Sequence, residues 1–100
     1  MDVSVIENWT DIHGSIQRWQ AESDIPGHGI LEVYVEEAFE VEGFPNLLGQ
    51  TPGSLLNVYV SAATVEGQAI RPARKIACRV RLGGPNKVFC HPDNFRIANT

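Results

Sequence analysis

The chain has 100 residues, of which 43% are hydrophobic and 20% charged, and its net charge is −4. That length fits one domain, 1–100, and the composition excludes a disordered chain. No apolar run approaches the roughly 20 residues of a membrane helix, and the first residues lack the basic and apolar regions of a signal peptide. We therefore expect a cytoplasmic protein with no membrane partner.

The apolar residues among the first 24 positions predict an amphipathic helix over about 4–24. They recur at helical spacing, and Ser4 with Glu7 has the form of a capping box. Gly14 disfavours a helix interior, so a helix that begins near Thr10, after a short strand over 2–6, is the alternative. The apolar face of the predicted helix consists of Val5, Trp9, Ile12, Ile16 and Trp19.

From Ile30 onward the apolar period changes to two, which predicts a β-rich body over about 30–98. Four or five short strands with short connections favour antiparallel pairing, in a strongly curved sheet or small barrel. The predicted fold class is therefore α+β, with the N-terminal helix followed by that sheet. The expected inward rows are Leu31, Val33, Val35, Phe39 and Val41, then Leu56, Val58, Val60 and Ala62, then Ile76, Cys78, Val80 and Leu82.

The last two apolar runs predict a hairpin with Gly84 at the centre of its turn. Val80 and Val88 must both face the core, and pairing residues whose numbers sum to 168 satisfies this condition. In that register Cys78 lies directly opposite Cys90. We expect both to be buried free thiols, because the compartment is expected to be reducing.

Charge is sorted along the chain. Residues 1–70 hold 11 of the 12 acids and one base, whereas residues 71–100 hold seven bases and one acid. Arg79 and Arg81 alternate with core residues, so both project from one sheet face, where they could contact a nucleic acid or another anion. We expect them to be neutralised instead, because the chain is acidic overall and this strand lacks interleaved aromatics. The expected partners, on an adjacent strand, are Glu32, Glu36 and Glu40.

Glu37 is the first candidate for chemistry. Strict alternation turns it to the same side as Val35 and Phe39, and a bulge at Glu36 that freed it would turn the later glutamates inward. Strict alternation therefore favours an inward Glu37, which could act as an acid, a base or a ligand contact. A solvated or arginine-paired carboxylate is nevertheless the preferred interpretation. The candidate ligand-binding residues are Glu37, Tyr34, Tyr59, Arg79 and Arg81.

Two cysteines and a neighbouring histidine superficially suggest a metal site. Alternation sends Cys90 inward and His91 outward, so those two side chains are not expected to share an ion. The common nucleotide-binding, hydrolase and zinc-protease motifs do not occur in the sequence. We expect no metal and no cofactor, and we assign no catalytic residue.

The leading interpretation is a non-enzymatic binding or interaction domain that self-associates as a dimer or larger homo-oligomer. The apolar residues of the helix and of the loop over 43–54 exceed what a small barrel must cover. The alternatives are a small-molecule pocket around Glu37, catalytic or not, and a nucleic-acid or anion contact through 71–87. The candidate interface residues are Trp9, Trp19, Phe44, Leu47 and Leu48.

Overall fold

The computed structural model describes residues 6–46, 48–49, 52–84 and 86–98. Within these residues the chain forms five strands and one short helix, α1 (Ala62–Val65). The strands close into a barrel in the order β1-β2-β3-β5-β4. None of the described residues belongs to a helix long and apolar enough to cross a lipid bilayer. The strands are β1 (Thr10–Gln20), β2 (His28–Glu40), β3 (Ser54–Ser61), β4 (Lys75–Leu82) and β5 (Val88–Ile97).

The predicted α+β fold class is wrong, because residues 10–20 form a strand instead of a helix. The spacing of four between Ile12 and Ile16 fits a helix face and a strand face equally well, since four is also a multiple of two. In the structure Thr10 and Gly14 complete the buried row of β1. Because Thr10 is polar and Gly14 has no side chain, the alternation of apolar and polar residues typical of a strand is not visible in this part of the sequence.

Gly14 has a steric role that a helix would not require of it. A Cβ built on Gly14 would overlap the carbonyl oxygen of Tyr34 on β2. Glycine within a strand commonly marks such a close approach of two backbones. Gly14, which disfavours a helix, therefore allows β1 to approach β2 closely at this position.

The sheet is mixed, so the prediction of a purely antiparallel sheet is also wrong. Four of the neighbouring pairs are antiparallel, but β3 and β5 are parallel, with Tyr59 opposite Phe89. After β3 the chain crosses to the far side of the barrel, where β4 pairs with β1. It then returns through β5, which reaches the free edge of β3 in the parallel direction.

The barrel interior is apolar and receives side chains from all five strands. Most of the expected inward positions are confirmed, but three are wrong, and one of these is Val41, which is half-buried and lies outside the core. Phe39 is 44% exposed, and Ala62 lies exposed at the start of α1. The buried apolar core is Ile12, Ile16, Leu31, Val33, Val35, Val58, Val60, Ile76, Cys78, Val80, Val88 and Phe95.

β4 and β5 pair as expected, but two residues out of the predicted register. Val80 pairs with Cys90, and Cys78 pairs with Phe95 beyond a bulge. A shift of two residues keeps every side chain on its own face of the sheet. The facing of the residues was therefore predicted correctly, and the direct pairing of the two cysteines was not. The turn over 83–87 is closed by a backbone hydrogen bond of 2.9 Å.

A buried asparagine completes one end of the barrel. Nδ2 of Asn8 donates to the carbonyl oxygen of Leu82 at 2.9 Å, and its Oδ1 accepts from the Leu82 amide at 2.8 Å. Nδ2 also donates to the carbonyl oxygen of Ile6 at 3.0 Å. The side-chain amide offers the same donor and acceptor as a peptide group, so it takes the place of one more backbone pair beside β4.

Candidate functional site

The outer face of the barrel carries a groove above β4. One cavity of about 500 Å³ and an adjoining one of about 320 Å³ share His13, Ala77 and Arg96 in their lining. These three residues are direct neighbours across β1, β4 and β5, since His13 pairs with Ala77 and Ala77 with Arg96. We call the two cavities together the β4 groove.

The small side chain of Ala77 accounts for the depression. The outward residues of β4 include Lys75, Ala77 and Arg79, because side chains alternate along a strand. The methyl group of Ala77 lies between two long side chains, and the side chains of His13 and Arg96 stand on either side of it. A short residue between long ones leaves room for a ligand.

An ion pair stands at each end of the β4 groove. At one end the Lys75 ammonium contacts the Glu36 carboxylate. At the other, Arg79 donates from Nε to Asp11 Oδ1 at 2.8 Å and from Nη2 to Oδ2 at 3.2 Å. This hydrogen-bonded carboxylate raises the pKa of Arg79 above its usual value. Two of the groove's cations are thus neutralised within the protein.

The partners predicted for the two arginines are wrong. Because β4 lies between β1 and β5, the glutamates of β2 do not lie on a strand adjacent to it. Asp11 of β1 pairs with Arg79 instead, while the guanidinium carbon of Arg81 lies 5.6 Å from the centre of the Phe89 ring. The predicted partners were Glu32, Glu36 and Glu40, of which Glu36 pairs with Lys75.

Glu37 is exposed, in agreement with the preferred interpretation of a solvated carboxylate, and the inward orientation that strict alternation favours is wrong. The register of β1 with β2 shifts between His13 and Gly14, which leaves Glu36 as the extra residue of a bulge. The bulge turns Glu37 outward into the lining of the larger cavity. Ala38 packs against the core in the next position.

A single row of residues crosses the groove from one wall to the other. Glu37 on β2 pairs with His13 on β1, which pairs with Ala77 on β4, which pairs with Arg96 on β5. Among the described residues, neither Glu37 nor Arg96 has an ion-pair partner. The groove therefore presents a free carboxylate on one side and a free guanidinium on the other.

An aromatic contact extends the wall of the groove on the β1–β2 side. The rings of His13 and Phe39 meet edge to face, with their centroids 5.1 Å apart. This contact gives the exposed Phe39 a place in the lining of the smaller cavity. The wall thus combines an apolar ring with an imidazole that can donate or accept a hydrogen bond.

A second cluster, which we call the aromatic column, lies where β3 meets β5. Tyr59 stacks on Phe89 at 5.4 Å, and the Lys87 ammonium lies 5.1 Å from the centre of the Tyr59 ring. The Tyr59 hydroxyl donates to Asp24 Oδ1 at 2.6 Å, and Lys87 donates to Oδ2 at 2.9 Å. These two hydrogen bonds lower the pKa of Asp24, and the bond from Tyr59 makes the larger contribution. With Arg81 over Phe89, every member of the column has a partner inside the protein, so the column serves to close the barrel.

The predicted ligand-binding residues fall into three places. Glu37 and Arg79 line the β4 groove, whereas Tyr59 and Arg81 belong to the aromatic column. Tyr34 is 40% exposed on the outer face of β2, outside the lining of either cavity of the groove.

The candidate interface residues differ in their exposure. Trp9 and Trp19 are half-buried, and Trp19 packs against the core. Phe44 is 38% exposed, while Leu48 packs against the core. Leu47 lies outside the described residues, as does Val5 of the predicted helix.

Cys78 and Cys90 are both free thiols, the first buried and the second half-buried. The interaction of the Cys78 thiol with Cys90, together with burial, raises the pKa of Cys78 well above its usual value, while the Cys90 thiol donates to the carbonyl oxygen of His91 at 3.3 Å. The two sulfur atoms therefore interact although the residues are not direct partners across the hairpin. In the part of the chain that the structure describes, no three histidine, cysteine or acidic side chains are grouped to hold a metal ion.

No protein-family model, curated protein or solved structure significantly matches this chain.

Proposed function

We propose that this chain is a ligand-binding domain that holds a small charged molecule in the β4 groove. The observation that carries the proposal is the continuity of the two cavities across His13, Ala77 and Arg96. A volume of about 500 Å³ falls within the range of small-molecule sites. We assign the ligand site expected around Glu37 to the outer face of the barrel, where Glu37 lines the larger cavity.

The two ion pairs support this proposal because they fix the charges at the ends of the groove. Asp11 holds the Arg79 guanidinium through two hydrogen bonds, and Glu36 holds the Lys75 ammonium. Side chains that are already ordered lose less conformational entropy when a ligand binds. The site is therefore largely formed before the ligand arrives.

We place the protein in a reducing compartment such as the cytoplasm. Both cysteines, Cys78 and Cys90, are free thiols. Free cysteines are typical of proteins kept reduced by the cytosolic thiol pool.

The substitution Ala77→Phe tests the proposal, because it fills the floor of the groove without changing any charge. A panel of amino acids, short peptides, carboxylates and phosphates is screened for a rise in the unfolding temperature of the protein. A ligand that binds only the native state must raise this temperature. We expect at least one class to stabilise the natural chain and to lose its effect on Ala77→Phe.

The matched control is Ala69→Phe, at an exposed position outside the lining of the groove. This control should respond to ligand as the natural chain does. The proposal fails if no compound of the panel binds, or if the ligand stabilises Ala77→Phe as strongly as the natural chain.

Self-association is the second candidate, and a specific pair of exposed apolar side chains favours it. Tyr34 and Leu55 are direct partners across β2 and β3, and they are 40% and 59% exposed. A second copy that covered them would remove adjoining apolar surface from water. Light scattering on the eluted protein should then give a dimer that Leu55→Glu converts to a monomer. A mass near 11.0 kDa for the natural chain at micromolar concentration would refute this candidate.

A further inference from the structure

We infer that the β4 groove recognises a short zwitterionic peptide, with Glu37 bound to its ammonium group and Arg96 to its carboxylate. This inference rests on the proposed function of the groove and names the class of its ligand. An arginine presents donors in a fixed fork that matches the two oxygens of a carboxylate. A glutamate carboxylate accepts hydrogen bonds from an ammonium group in the same charge-assisted manner.

The pairing of the other charges singles out Glu37 and Arg96. Lys75 and Arg79, the remaining cations of the groove, each contact a carboxylate of the protein. Arg96 lines both cavities, and Glu37 lines the larger one with it. Asp93 lines only the smaller cavity, so it does not face Arg96 across the larger one. Among the described residues, the larger cavity thus offers one unpaired charge of each sign.

The strand spacing sets the length of the ligand. Three steps between neighbouring strands separate Glu37 from Arg96, and each step is about 4.8 Å, so the row spans about 14 Å. This is the separation of the backbone positions that carry the two charged side chains. An extended peptide advances at most about 3.3–3.6 Å per residue. A peptide of two or three residues therefore fits within the length of the row.

The lining between the two charges selects the side chains of the peptide. The apolar residues Ala77, Ile97 and Ala98 line the larger cavity together with the two charged side chains. Small apolar side chains would bury surface against these groups without leaving a polar atom unpaired. Dialanine and trialanine are accordingly the probes of choice.

The test is calorimetric titration of the natural chain with trialanine, N-acetylated trialanine and trialanine amide. Acetylation removes the ammonium charge and amidation removes the carboxylate, with little change in shape. We expect trialanine to bind and each blocked peptide to bind at least tenfold more weakly. Dialanine serves as the shorter probe of the same series.

Two variants assign each end of the peptide. Glu37→Gln should weaken trialanine binding yet leave the affinity for the acetylated peptide unchanged. Arg96→Gln should weaken trialanine binding yet leave the affinity for the amide unchanged. The exposed charges Glu66 and Arg71 lie outside the groove lining, so Glu66→Gln and Arg71→Gln are the matched controls and should bind as the natural chain does.

The inference is overturned if neither free peptide binds, if blocked peptides bind as well as free ones, or if the two variants do not discriminate between the ends. Its failure differs from failure of the proposed function. If a different ligand of the panel binds and loses its effect on Ala77→Phe, the groove is a site for another class of molecule. If no ligand depends on Ala77, both proposals fail.

Discussion

Asp11 and Arg79 lie opposite each other on β1 and β4, and two hydrogen bonds join the carboxylate to the guanidinium. The pair links the acidic first part of the chain to its basic last part. The barrel order brings these parts together because β4 inserts between β1 and β5. Some of the acidic residues in the first part of the sequence thus form ion pairs with basic residues in the last part, as Asp11 does with Arg79.

Exchanging the two charges tests this pair. Arg79→Glu should lower the unfolding temperature, because two carboxylates then stand side by side. Adding Asp11→Arg should restore part of the loss, since the opposite charges are again adjacent. Thermal unfolding of both single variants and the double variant measures the coupling. Effects that simply add would show that the two side chains do not interact.

Gly14→Ala should destabilise the protein by about 1–3 kcal/mol or more, because the added methyl overlaps the carbonyl oxygen of Tyr34. The measurement is urea unfolding. Ser15→Ala, at the next and outward position of β1, is the control and should change the free energy of unfolding far less. Equal stability of Gly14→Ala and the natural chain would contradict the close approach of β1 and β2.

Asn8→Ala should cost about 1–3 kcal/mol, because the amide and carbonyl of Leu82 lose their partners at a buried position. Asn8→Asp should also destabilise the protein, since the carboxylate cannot donate to the Leu82 carbonyl. Asn57→Ala, at an exposed position on β3, is the control. Urea unfolding gives the free energy of unfolding of the three variants. If Asn8→Ala is as stable as the natural chain, the two hydrogen bonds between Asn8 and Leu82 do not stabilise the fold.

The aromatic column should make stability depend on pH through Asp24. Its folded-state pKa is lowered by the hydrogen bonds from Tyr59 and Lys87, so the ionised carboxylate stabilises the fold above the unfolded-state pKa. That contribution is lost as the pH falls through the folded-state pKa. Asp24→Asn should therefore be less stable than the natural chain at pH 7, and the gap in unfolding temperature should close in acid. A gap that stays constant with pH contradicts this assignment.

The two thiols should differ in reactivity. The interaction with Cys90 and burial raise the pKa of Cys78, and the thiolate is the form that reacts. In the native protein a thiol reagent should therefore modify Cys90 faster than Cys78. The single variants Cys78→Ser and Cys90→Ser allow each rate to be measured alone. Similar rates in both variants would contradict the burial of Cys78.

The sequence predicted the strands whose apolar residues alternate without interruption. Leu31, Val33 and Val35 in β2 lie buried as expected, and so do Ile76, Cys78 and Val80 in β4. β1 was missed because its inward row includes Thr10 and Gly14. Local periodicity identifies a strand only when apolar side chains occupy most of its inward positions.

The site depended on relations that a single sequence does not contain. Glu37 was selected as a candidate, but the bulge at Glu36 decided its orientation. Arg96 was not selected, because nothing in the sequence indicates that β5 places it beside Ala77. The order of strands around the barrel is set by contacts between distant parts of the chain. For this reason the contact between Tyr59 and Phe89, where β3 pairs with β5, could not be predicted from the sequence either.

Mapping of backbone amide shifts by NMR, with the charged-compound panel added to the labelled protein, tests the central claim most directly. Binding in the β4 groove should move the amide signals of His13, Ala77 and Arg96 most, and Ala77→Phe should abolish those shifts. If every binding compound instead moves mainly the signals of Tyr59 and Phe89, or if none moves any signal, the groove is not the binding site.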